Sequence, residues 1–303
     1  MNRRRFMQRN CFHMLMKSGC LAAPLLAPLS GYGAGSYDVC RESSPASSLH
    51  AAYHAYEDIE STDGALAREN WSADVNFRNT SNWLFGAAYR ATFIDESEIG
   101  FRTNGYLHSV YFPLQRLRTS ERRFRLAIAP ALSASSNVIK DPEQYDRDAW
   151  QFLFAAVWEW AGGDTLDWRA GICADHRFGS YRVYPAAGVA WRPGADWRIE
   201  LGFPDATLSY RPGDIFRAMF AIKPNGNEWY VKDSTLEYAS LFEYRAWAAE
   251  LAFTWNISPA LELTAIGGVD IDSEYRGDLA DGSRLVLDAG SAARVGIDFG
   301  WIF

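Results

Sequence analysis

Cysteine, lysine and long apolar runs are all scarce in this 303-residue chain. The longest apolar run, Leu21–Leu29, is broken by prolines. A membrane-spanning helix needs ~20 apolar residues, so none is expected. The four cysteines, Cys11, Cys20, Cys40 and Cys173, give neither a disulfide framework nor a zinc-ligand spacing. No phosphate-binding loop or metal motif is present, and no 20–50-residue repeat stands out. No cofactor or metal is therefore expected. Basic residues are in deficit: 30 Lys and Arg against 37 Asp and Glu, a net charge of −7. That balance lacks the basic footprint a nucleic-acid partner requires. What is abundant is aromatic. The 12 Trp, 15 Tyr and 18 Phe argue against disorder.

Residues 1–35 read as an export signal. Arg3, Arg4, Arg5, Arg9 and Lys17 form a basic start without an acidic residue. Ser18–Leu29 is a short apolar stretch, and small residues follow at Gly31, Gly33, Ala34 and Gly35. Cleavage after Gly33 or Gly35 fits the small-x-small rule. Asn2–Met7 resembles a twin-arginine signal, although a barrel must travel unfolded and that route carries folded cargo. The alternative is a soluble protein with a basic, frayed terminus. Cleavage would leave 25 basic residues against 37 acidic ones. Cys40 and Cys173 would remain, and an oxidising compartment would permit a bridge between them.

Residues 36–70 are polar and poor in β-branched residues, and are expected as a periplasmic segment. Ala46–Asp58 could form a short helix with His50 and His54 on one face. Such a pair at that spacing does not by itself make a metal site. From Trp71 the hydrophobic period becomes two, the signature of half-buried strands. Trp83, Phe85, Ala87, Tyr89, Ala91 and Phe93 lie on one face, opposed by Leu84, Gly86, Ala88, Arg90 and Thr92. Phe124–Leu132, Trp150–Trp160, Leu166–Ala174, Tyr181–Trp191 and Trp247–Trp255 repeat the pattern. Around Pro204 the apolar phase slips by one, which marks a bulge or a tight turn. Short turns at Gly162–Asp164, Pro193–Asp196 and Ser258–Pro259 contrast with longer connectors at Ser135–Asp148 and Asp272–Ser283.

Three features favour a membrane barrel over a soluble sandwich. The apolar faces run about 10 residues, enough to cross a bilayer at a tilt. Aromatic rings sit at the strand ends, where membrane interfaces hold them. The opposite faces are polar or small, unlike a sandwich core. The expected fold is all-β: a transmembrane antiparallel barrel over residues 71–303, of about 12 strands (10–14). The C-terminal series Arg294, Gly296, Phe299, Trp301 and Phe303 resembles the terminal-strand signal of bacterial outer-membrane proteins. That resemblance implies outer-membrane lipid, a Gram-negative-type envelope and the barrel-assembly machinery as partner. Trp197–Tyr210, with Leu201-Gly202-Phe203-Pro204 and Leu208-Ser209-Tyr210, resembles domain-of-unknown-function family 6268 of outer-membrane proteins. The family implies no substrate and no catalytic residue. Oligomeric state and solute are left unassigned.

If the aromatic faces meet lipid, the other faces line the lumen. Inward bases are then Arg90, Arg123, Arg125, Arg169, Arg177, Arg182, Arg192, Arg198 and Arg217. Inward acids are Glu237, Glu243, Glu250, Glu262, Asp270, Asp272 and Asp298. A basic early wall facing an acidic late wall would set a transverse field across a water-filled channel for small polar solutes. Direct Arg–carboxylate pairing would instead give a closed barrel, serving as envelope scaffold or surface interaction protein. A third class, an outer-membrane lipid hydrolase, needs a serine beside a histidine. His108 and Ser109 are strand neighbours and point to opposite faces. His176 and Ser180 flank a turn at Gly179 without an identifiable third group. The expectation is therefore not an enzyme.

Overall fold

The computed structural model describes residues 37–41, 46–61, 64–79, 82–97, 105–116, 124–141, 143, 145–233, 238–278 and 284–303. The expected leader lies outside these residues, as do Arg123 and Glu237. Seventeen strand segments follow in chain order: β1 (Ser48–Tyr56), β2 (Ile59–Ser61), β3 (Gly64–Arg78), β4 (Trp83–Ser97), β5 (Gly105–Tyr111), β6 (Leu114–Arg116), β7 (Phe124–Ser135), β8 (Trp150–Ala161), β9 (Leu166–Asp175), β10 (Arg182–Trp191), β11 (Trp197–Phe203), β12 (Ala206–Tyr210), β13 (Phe216–Pro224), β14 (Asn227–Asp233), β15 (Tyr238–Ser258), β16 (Leu261–Asp278) and β17 (Arg284–Ile302). A short helix, α1 (Ser136–Lys140), follows β7.

The sheet closes on itself, since β1 pairs with β17 on one side and β3 on the other. Three pairs of segments act as single interrupted strands. β1 and β2 both pair with β3, β5 and β6 with β4 and β7, and β13 and β14 with β15. The barrel therefore has 14 strands, the upper end of the expected range. Closure satisfies every edge, which a bilayer demands of a spanning sheet.

The polar segment at residues 36–70 does not stand apart. Ser48–Tyr56 is a strand rather than a helix, and the barrel begins at Ser48. Its composition hid this, because its alternate residues His50, Ala52 and His54 are buried inside the barrel and supply no apolar row. Pro204 forms a tight hairpin tip between β11 and β12 rather than a bulge.

The outer surface follows the alternation. Trp150, Phe152, Trp158 and Trp160 of β8 are exposed, as are Val295, Ile297, Phe299, Trp301 and Phe303 at the C-terminus. Ten residues of strand rise ~33 Å and, tilted by ~40°, cover a ~25 Å apolar band. Cross-strand aromatic pairs mark both rims. At the end holding Ser48 and Phe303, Phe124 faces Trp158 and Trp197 faces Tyr210. At the far end Tyr53 faces Trp71 and Phe93 faces Tyr106. These belts and the closed wall make the chain a transmembrane barrel of the outer-membrane type.

The terminal signal divides between the faces. Arg294 points inward into buried ion pairs. A side chain at Gly296 would come within 2.3 Å of the His54 ring. Phe303 lies 5.5 Å from Trp301 and 6.1 Å from Phe77. Phe303→Asp is expected to place a charge in this belt and reduce assembled protein, read as loss of the heat-modifiable band.

Inward positions are packed, not spacious. Ala155 is fully buried, and a side chain at Gly171 would meet the Ala156 carbonyl at 2.2 Å. Arg in place of lipid-facing Leu251 should cost roughly 2–4 kcal/mol if it lies near the bilayer midplane. Arg in place of Ala155 or Ala252 should cost at least as much, because both are buried and overpacking is also destabilising. Urea unfolding from micelles measures all three.

Candidate functional site: a plugged lumen

The inner wall from β7 to β10 is rich in alanine, interspersed with larger residues such as Arg125, Leu153, Val157 and Tyr184. Ala127, Ala129, Ala131, Ala155 and Ala186 are all buried. They are buried by a separate piece of chain: Tyr37, Val39 and Cys40 pack against them inside the barrel. The alanines leave a bore, and the segment Tyr37–Arg41 fills it.

Three sets of contacts hold this plug. Cys40 is disulfide-bonded to Cys173 of β9, with Cα atoms 5.8 Å apart. The Arg125 guanidinium donates to the Val39 carbonyl at 2.8 Å, to Arg41 at 3.2 Å and to the Cys40 carbonyl. Arg177 Nη1 lies 2.9 Å from Asp38 and 3.0 Å from Asp205 at the β11–β12 tip. Its Nε is 3.1 Å from Asp175. Tyr184 Oη donates to Asp175 at 2.7 Å and accepts from Arg177 at 2.8 Å. Across the lumen, Arg41 Nη2 reaches Met219 Sδ of β13 at 3.4 Å. The plug thus spans from β7–β9 to the opposite wall.

Burial alone would raise the Asp38 pKa, but Arg177, Arg41, Lys223 and Arg125 outweigh it and hold the carboxyl below its ordinary value. Asp205 goes the other way: burial raises it, and Arg177 does not fully compensate.

The far end is capped as well. After Pro224 the chain bends: β14 stays paired with β15 but also meets β7, at Tyr230 and Ala134. Asn227 donates to Ser109 at 3.1 Å, and Gln151 to the Glu228 carbonyl at 2.7 Å. The bend needs Gly226, where a side chain would come within 2.5 Å of the Gly179 nitrogen and 2.7 Å of the Arg177 carbonyl.

Beside the plug lies a second buried network. Asp270 accepts from Arg68 at 2.6 Å, Tyr244 at 2.6 Å and Asn225 at 2.9 Å, with Arg294 Nε 3.7 Å away. Glu250 pairs with Lys223 at 2.6 Å and with Arg294.

The expected lumen residues separate into groups. Arg90, Arg125, Arg177, Glu243, Glu250, Asp270 and Asp298 are buried inside. Arg177 lies in the β9–β10 connection rather than on a strand. Arg169, Arg192, Arg198, Arg217 and Glu262 are half-buried and line the end holding the termini. Arg182, at the first residue of β10, is exposed. Asp272 does not point inward as expected. The β16–β17 register shifts after Asp270, Asp272 has φ +56°, and the irregularity leaves it exposed. A similar break between Arg245 and Trp247 lets both Glu243 and Glu250 face the interior.

Among the described residues, many of these charges pair locally. Arg68 of the early wall meets Asp270 of the late one, while Arg294, Glu250 and Lys223 pair within the late wall. Arg68, Lys223, Tyr184, Asp38 and Asp205 were not anticipated. Arg68 and Asp38 lay in the segment assigned outside the barrel. The residue pair Cys40 and Cys173 was the one sequence signal that tied that segment to the wall.

A family described as "Domain of unknown function (DUF6268)" matches residues 107–277, more than half of the chain. No curated protein matches the sequence. Among solved structures, the chain is similar to a COG4313 outer membrane channel from Pseudomonas putida F1, at 9% identity and TM-score 0.45, over 85% of this chain and 96% of that one. A bacterial polysaccharide outer membrane secretin gives 11% identity and TM-score 0.43, over 86% and 99%. The NanC porin gives 10% and 0.38, over 85% and 100%.

Proposed function

We infer, from the premise that the chain belongs to the DUF6268 family and from its interior, that it is a gated outer-membrane channel for small polar solutes. One observation carries the reading. The bore along β7–β10 is lined largely by alanines, with Leu153, Val157 and Tyr184 among them, and the segment Tyr37–Arg41 packs into the space they leave. A barrel built only as a scaffold fills its interior from its own wall. Here the wall is cut back and a separable segment takes the space. Arg169, Arg192, Arg198, Glu200 and Glu262 give the open end a mixed-charge, water-accessible lining. Such a lining suits hydrated solutes of either sign.

The closed-scaffold reading has its own support in the Asp270–Arg68–Arg294–Glu250 cluster, which fills the β15–β17 side. Planar-bilayer conductance separates the two. Native protein should conduct poorly. Cys40→Ser/Cys173→Ser with Arg125→Ala removes the tether and the carbonyl clamp, and should give stepwise currents. In that background Ala129→Cys should react with a membrane-impermeant maleimide. Labelling without current would leave the scaffold reading standing and end the channel.

A further inference from the structure

We propose that Ser136, His108 and Tyr89 form an ester-hydrolysing site on the outer face of the barrel, acting on acyl esters of membrane glycerophospholipids. The lumen plays no part in this site, so it stands or falls apart from the channel reading.

The register builds the constellation. His108 faces outward from β5, with Ala91 of β4 opposite on one side and Ala134 of β7 on the other. Both neighbours are small, so the ring reaches past them to the diagonal residues. Tyr89 Oη lies 2.7 Å from His108 Nδ1. Ser136 Oγ lies 2.9 Å from His108 Nε2. The imidazole stacks between Tyr89 and Tyr106, with centroids 5.9 and 6.1 Å away. A nucleophile, a base within hydrogen-bond reach and a third group orienting the base are the parts of covalent acyl transfer. Ser109, next in sequence to His108, is fully buried and bonds Ser133 inside the barrel at 2.6 Å. The partner of His108 comes instead from the neighbouring β7, just past its end, at the first residue of α1.

The surroundings name the substrate. The site sits at the far rim, beside exposed Tyr89, Tyr106, Trp150 and Phe152. That is the belt where acyl chains meet headgroups. Tyrosine alone suits such a belt, and a histidine bridged to a serine adds nothing to anchoring. Lys140, one turn along α1 from Ser136, is exposed and offers a cation to the lipid phosphate.

The chemistry balances without metal or redox partner. With Nδ1–H donated to Tyr89 Oη, Nε2 is the free base. The Ser136 hydroxyl, which donates to the Tyr106 carbonyl at 3.0 Å in the resting structure, turns to give its proton to Nε2 as Oγ bonds the ester carbonyl carbon. The carbon–oxygen bond to glycerol then breaks, and His108 returns the proton to the leaving alkoxide. Water, deprotonated by His108, cleaves the acyl-serine, releasing a fatty acid and restoring the hydroxyl. Tyr89 is a positioning residue, because it acts through His108.

The test uses the full-length barrel in detergent micelles containing dioleoylphosphatidylethanolamine, and separately a fluorophosphonate probe. Oleate and lysophospholipid should appear in equal amounts, and the probe should add once, at Ser136. Ser136→Ala and His108→Asn should each lower oleate release by about 10²-fold or more and abolish the adduct, with the heat-modifiable band intact. Ser109→Ala should change neither. Tyr89→Phe should keep the adduct but move the pH–rate profile, which a purely structural tyrosine would not do. Folded native protein that releases no oleate and takes no adduct overturns the proposal. So does an adduct that survives Ser136→Ala.

Discussion

Replacing Glu250 with alanine should be among the most damaging single changes in the barrel, costing roughly 3–5 kcal/mol. Glu250 is buried between Lys223 at 2.6 Å and Arg294. Both cations are themselves nearly inaccessible, with side chains 7% and 0% exposed. Removing the carboxylate leaves two positive charges in one dry pocket. Asp270, 3.7 Å from Arg294 Nε, is already committed to Arg68, Tyr244 and Asn225. It cannot take over both. The expectation is a large fall in the urea midpoint of micelle-embedded protein. Glu250→Ala combined with Lys223→Met should recover part of the loss, since it removes one of the two cations that the single change leaves uncompensated. Equal stability of Glu250→Ala and wild type would show that water reaches the cluster.

The wall was legible because its causes are local. Alternation in Trp150–Trp160 survives as Trp150, Phe152, Trp158 and Trp160 facing out and Gln151, Leu153 and Ala155 facing in. A two-residue period needs no knowledge of neighbours. Ser48–Tyr56 escaped the same logic because its buried face is histidine, alanine and serine, chosen to meet Glu262 and Asp298 of β16 and β17. Such a face reads as polar until the barrel closes around it. The count sits at the upper end of the expected 10–14 because β11 and β12 are only 7 and 5 residues long. Their hairpin at Pro204 looks like a defect in one strand.

The lumen resisted reading for a different reason. Inward direction follows from parity, but the partner of an inward charge depends on distance across the barrel. Arg177 and Asp38 are 139 residues apart in the chain, and nothing local couples them. The row Tyr89, His108 and Ser136 shows the same gap on the outside. Its spacing exists only once β4, β5 and β7 are in register.

Arg177→Ala should convert the barrel from a closed to an open state, visible as a steep rise in single-channel conductance. The guanidinium touches Asp38, Asp175 and Asp205 together. Without it, three carboxylates crowd one buried site, and Asp38, on the separable segment, can leave most readily. The disulfide to Cys173 limits how far it goes. Full opening is therefore expected only when Arg177→Ala is studied with the bridge reduced or removed. Arg177→Lys, which keeps the charge but loses the fork that spans three acids, should fall between. Acid should act in the same direction. The Asp38 pKa is depressed in the folded protein, so its contribution is present above the ordinary carboxylate pKa. It is lost as pH falls through the lowered value. Asp205, whose pKa burial raises, loses its charge before Asp38 and leaves Arg177 to it. Native protein should thus stay closed through mildly acidic pH and open only below the usual carboxylate range. Conductance of Arg177→Ala that matches wild type at every pH with the bridge reduced would mean that Tyr37–Arg41 is a fixed part of the core, held by Arg125 and the alanine wall.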